Sequence, residues 1–153
     1  MADAITGESE SAPTPRRAPK FTTGVLVANA IFLGVGALIL LVAGQRLFGH
    51  LLGLPDAAGF LWLLLGVCAA ALAVLSAAAA RAGDVRLCLT AVVTLLVFQV
   101  GSALVSFVVG LTTNPTVFAN FAPHLVLAVL LGLAWWRLAA TTGRRPSAGS
   151  ALA

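Results

Sequence analysis

The sequence predicts an all-α integral membrane protein, with four transmembrane helices in an antiparallel up-down bundle and both termini in the cytoplasm. Three observations lead there. Of the 153 residues only 9% are charged and 60% are hydrophobic, with a mean hydropathy of +1.05. The charged residues punctuate long apolar runs instead of falling within them. The basic residues alternate between crowded and nearly empty segments, the asymmetry that orients a chain across a bilayer. A water-soluble domain carries roughly 25% charged residues, so this chain lacks the polar surface that water demands.

The first 20 residues, MADAITGESESAPTPRRAPK, are polar, rich in Pro and Ala and poor in large apolar groups, and read as a disordered tail. Arg16-Arg17 is followed by the wrong residues, and by too long an apolar segment, for a twin-arginine signal. LVAG at 41–44 leads into Gln45 instead of a cysteine that a lipid would modify, so the first helix is expected to remain uncleaved. Lys20 and Arg46 bound that helix, expected over 21–44, and Asp56 and Arg81 bound a second, expected over 58–80. Each exceeds the ~20 residues that cross a hydrocarbon core of ~30 Å.

Between Arg86 and Arg137 stand fifty residues with no Asp, Glu, Lys or Arg, too many for one crossing and suited to two. Asn114-Pro115 and Pro123 place the turn inside 111–124. The third span is expected over 87–111 and the fourth over 123–140, with Pro123 in a first turn where its missing N–H is harmless. The alternative starts the last helix at Pro115 and kinks it at Pro123, which membrane helices tolerate. Trp135 and Trp136 beside Arg137 mark its end at the lipid–water interface, and 141–153 form a second disordered tail.

Orientation follows from the basic residues. With the N-terminus inside, the inner segments hold Arg16, Arg17, Lys20, Arg81, Arg86, Arg137, Arg144 and Arg145, and the outer ones hold only Arg46. A formal net charge of +4 and a pI near 10.6 do not indicate nucleic-acid binding, because these residues lie between apolar runs and in tails instead of forming one basic face. The expected location is a bacterial plasma membrane, with membrane lipids, other membrane subunits or a second copy as partners and no cofactor.

Each span carries small residues that let a neighbouring backbone approach: Gly24, Ala28, Ala30 and Gly34 in the first; Gly66, Ala69, Ala70, Ala73 and Ala77 in the second; Gly110 in the third; Ala128 and Gly132 in the fourth. Polar residues inside spans are the next candidates. Gln99 shares a helical face with Cys88, Ser102, Ser106 and Gly110, and that face should turn inward because an unpaired amide in lipid is costly. Asn29 in the first span is its natural partner. Together Asn29, Gln99, Ser102 and Ser106 form a polar face that serves either as interhelical glue or as a contact for a small ligand.

Residues 46–56, RLFGHLLGLPD, have apolar residues spaced for a short interfacial helix over about 46–54, ended by Gly53 and Pro55. A sharper reading gathers Arg46, His50, Asp56 and His124 at the outer mouth, where two histidines and a carboxylate could bind a metal or serve catalysis. In arrangement, the Gly53-Leu54-Pro55 connector and following apolar helix, residues 50 to 80, resemble the DoxX-like group of small four-span bacterial membrane proteins. The acidic residue those proteins often carry in the second helix is absent here, and the resemblance carries no function over.

Several classes are excluded. No Asp, Glu, Lys, Arg or His falls near the middle of an expected span, whereas proton- and ion-coupled transport requires such groups. Small four-span multidrug exporters need a glutamate in the first helix, where this chain has Asn29. Cys68 and Cys88 form no C-x-x-C pair and stand too far apart in depth for a disulfide, so both read as small buried apolar residues. The expectation is a non-catalytic accessory or interaction subunit. The alternatives are a binder or carrier of a lipid-like or small neutral molecule, and a membrane enzyme using the outer cluster.

Overall fold

The computed structural model of the protein describes residues 16–44, 46–47, 59–112 and 115–143. Among these, four helices are long and apolar enough to span a membrane: α1 (Lys20–Gly44), α2 (Gly59–Ala82), α3 (Val85–Thr112) and α4 (Phe118–Gly143). A short 3₁₀ turn, Pro115–Val117, leads into α4. Residues 1–15 and 144–153 of the expected tails, most of the expected interfacial helix with His50, and Asp56 lie outside the described residues. Residues 16–20 are ordered against the bundle with Lys20 opening α1, α4 runs on to Gly143, and Arg46 and Leu47 are exposed.

The helices pack as two antiparallel hairpins, α1 with α2 and α3 with α4, joined by α1–α4 and α2–α3 contacts. Buried residues on α3 fall at Val85, Cys88, Val92, Leu95, Gln99, Ala103, Ser106 and Gly110, with Ala91 beside them. Their steps of three or four are the seam of helices crossing at a shallow angle. Leu26, Val92, Leu95, Leu131 and Leu138 fill the middle, while Ile31, Leu38, Val42, Val74, Val97 and Trp136 point outward. In water such a surface would be untenable; against lipid it is the expected one.

Local chemistry sets the α2–α3 turn. Gly83 takes a φ of +63°, which ends α2, and its N–H bonds the Ala79 carbonyl at 3.1 Å. Asp84 then caps α3, its Oδ1 accepting from the Leu87 N–H at 2.9 Å. Residues 16–18 lie along this turn, with Ala18 N–H on Gly83 O at 2.8 Å and Val85 N–H on Arg16 O at 3.3 Å. The Arg16 guanidinium donates to Thr141 O at 3.4 Å, and Arg137 stacks over Phe21 at 4.4 Å. The start of α1, the α2–α3 turn and the end of α4 therefore share one end of the bundle.

The fourth helix begins at Phe118, five residues before the start expected at Pro123, so the proline is interior. Contacts along the chain's own hairpin hold the extra turn. Phe118 covers Gly110, where an added Cβ would lie 3.0 Å from the ring, and Phe118 and Phe121 flank Phe107 at 5.9 and 5.6 Å. These contacts, and an Asn120–Ser106 hydrogen bond of 3.1 Å, offset the backbone bond that Pro123 cannot make.

Candidate functional site: a polar chain across three helices

Gln99 sits halfway along α3, on its inward seam, and is fully buried. Its amide serves both neighbours. Nε2 donates to Asn29 Oδ1 on α1 at 2.7 Å, and Oε1 accepts from Nδ1 of His124 on α4. Because an amide oxygen only accepts, His124 carries a proton on Nδ1. One glutamine thereby ties three helices at the level of the α3 midpoint. Phe32 and Phe98 close over the imidazole edge-on, at centroid distances of 5.3 and 6.4 Å.

This arrangement moves His124 out of the outer-mouth cluster predicted from sequence. With α4 starting at Phe118, His124 lies inside the helix and is buried, with 8% of its surface exposed. It also places a titratable ring against the middle of α3, where the sequence reading expected none near any span centre. The signal that would have found it is His124 itself, inside an uncharged run of fifty residues and one position after a proline that a membrane helix can absorb. Of the remaining cluster members Arg46 is exposed, and His50 and Asp56 lie outside the described residues.

Of the predicted polar face, Asn29, Gln99 and Ser106 are buried and Ser102 is half-buried. Ser106 accepts from Asn120, which extends the polar line along the α3–α4 contact. Two further links use backbone carbonyls: the Ser76 hydroxyl donates to Leu26 O at 2.7 Å and the Cys88 thiol donates to Ala79 O at 3.3 Å. Among the described residues, Asn29 Nδ2 and the Thr22 hydroxyl are buried with no partner. Cys88 is buried as expected, but Cys68 is exposed on the outer face of α2, because that helix turns chiefly Gly66, Ala69, Ser76 and Ala79 inward.

The predicted small-residue faces divide. An added Cβ at Gly66 would lie 2.8 Å from Leu41 Cγ, and one at Gly44 would lie 2.9 Å from Trp62 Cβ, so both mark close α1–α2 approach. At Gly24, Gly34 and Gly132 the same atom would meet nothing within 4 Å. No known protein family, curated protein or solved structure matches the chain.

Proposed function

We propose that the chain is a multi-pass protein of a bacterial plasma membrane, with both termini cytoplasmic, acting as a non-catalytic subunit that packs against other membrane proteins. The observation that carries this reading is the Asn29–Gln99–His124 chain. The side chains of Asn29, Gln99 and His124 bond to one another across three helices, which holds a bundle together and supports a structural use of these groups over turnover of a substrate. Exposed Gly24 on α1 and Gly101 on α3, with open space where a side chain would stand, support close approach by a neighbouring helix. The six described basic residues at one end, Arg16, Arg17, Lys20, Arg81, Arg86 and Arg137, support placing that end in the cytoplasm.

The reading as a binder of a small neutral molecule rests on one observation, the unpartnered Asn29 Nδ2 beside the chain. The enzyme reading loses support, because His124 is bonded to Gln99 inside the bundle. Native mass spectrometry of the full chain, extracted from its own membranes in mild detergent and cross-linked beforehand, discriminates. A stoichiometric complex with another membrane subunit is the expected result. A lone chain carrying a small molecule that Asn29→Ala releases would contradict the proposal.

A further inference from the structure

A shallow groove of about 340 Å³ runs between α1 and α2 near the basic end, lined by Val27, Ala30, Ile31, Ala77, Ala80 and Arg81. Its walls are apolar, and the space is open because three of the six lining residues are alanines where larger side chains would fill it. Arg81 stands in the last turn of α2 and is the only charged residue of the lining. Its aliphatic stem forms part of the wall, which leaves the guanidinium free to reach the headgroup level.

The charge around this position is one-sided. Backbone bonds hold residues 16–18 against the α2–α3 turn, which brings Arg17 beside the end of α2, and Lys20 opens α1. Asp84 is the one acidic residue among those described, and its carboxylate is engaged in capping α3. Arg16 and Arg137 are committed to Thr141 and Phe21. Arg81 thus heads an apolar groove at an end of the bundle where the described residues hold six basic side chains against the single carboxylate of Asp84.

The geometry points to a binding site for an anionic phospholipid of the leaflet at the basic end: the glycerol-proximal part of one acyl chain lies in the α1–α2 groove and the phosphate rests on Arg81. The small side chains admit the chain, and the positive charge selects the headgroup. This site is separate from the buried polar chain and does not depend on which partner the subunit has.

Native mass spectrometry in nonionic detergent, with phosphatidylglycerol or phosphatidylcholine titrated onto the full chain, tests it. One phosphatidylglycerol should bind in preference to phosphatidylcholine. Arg81→Gln should weaken it roughly fivefold, the effect of one basic residue near an anionic surface. Ala77→Leu fills the groove from an exposed position and should weaken it similarly without touching any charge, while Arg86→Gln, on α3 outside the groove, should not. A melting curve unchanged from the parent protein shows that each variant is folded. Equal binding of the two lipids, full retention of phosphatidylglycerol by Ala77→Leu, or equal losses in Arg81→Gln and Arg86→Gln would each overturn the proposal. So would an Ala77→Leu variant that changes only the dimer fraction, since the groove would then be a helix-docking face.

Discussion

Replacing Gln99 by leucine removes the centre of the polar chain and, leucine being no smaller than glutamine, leaves no cavity behind. Two hydrogen bonds are lost, one to Asn29 and one to His124. Interhelical hydrogen bonds in membranes average about 0.6 kcal/mol each, giving about 1.2 kcal/mol for the pair. Asn29 Oδ1 and the His124 N–H are then stranded where water is absent, and a stranded buried group costs about 1–3 kcal/mol when nothing relaxes toward it. We expect Gln99→Leu to destabilise by about 1–3 kcal/mol, against about 0.6 kcal/mol for Ser106→Ala, which loses the single bond to Asn120. Ser102→Ala should shift stability by less than about 0.5 kcal/mol. Equilibrium unfolding in mixed micelles with increasing dodecyl sulfate measures all three. Combining Gln99→Leu with Asn29→Leu should cost less than the two single losses added together, since both break the same bond. Strict additivity, or an unchanged midpoint for Gln99→Leu, would refute the claim that this glutamine couples the helices.

Two glycines of similar sequence context should respond oppositely. Gly44→Ala forces a methyl to 2.9 Å from Trp62 Cβ and should destabilise by about 1–3 kcal/mol, whereas Gly34→Ala enters open space and should gain up to about 1 kcal/mol from helix propensity; melting temperatures in one detergent compare them. At the α2–α3 turn, Asp84→Ala should lose about 0.5–2 kcal/mol with the cap, and Gly83→Ala about 1–2 kcal/mol because φ is +63°; unfolding midpoints report both. Micromolar Zn²⁺ should leave the melting temperature unchanged, since His124 is held by Gln99 inside the bundle and not at the outer mouth; a rise abolished by both His50→Ala and His124→Ala would contradict this.

Four helices were legible because charge marks every boundary but one, and the cost of placing charge in hydrocarbon leaves few other solutions. The Asn29–Gln99 link was legible for a related reason: buried amides in lipid must find each other, and few are available. The remaining boundary was not marked by charge. There the proline rule suggested a start at Pro123, and the opposing contacts, Phe118 on Gly110 and Asn120 on Ser106, are tertiary and leave no periodic trace. That one boundary displaced His124 from the interior to the mouth. Facing was equally hidden for Cys68 and for Gly34 against Gly66, because in a bilayer both the inward and the outward sides of a helix are apolar.

The central claim, four crossings with the basic end in the cytoplasm, is tested most directly by cysteine accessibility in intact cells. In a Cys68→Ala, Cys88→Ala background, Gly53→Cys should react with a membrane-impermeant maleimide, and Ala148→Cys should react only after the membrane is permeabilised. Labelling of both sites in intact cells, or of Ala148→Cys alone, would contradict the account.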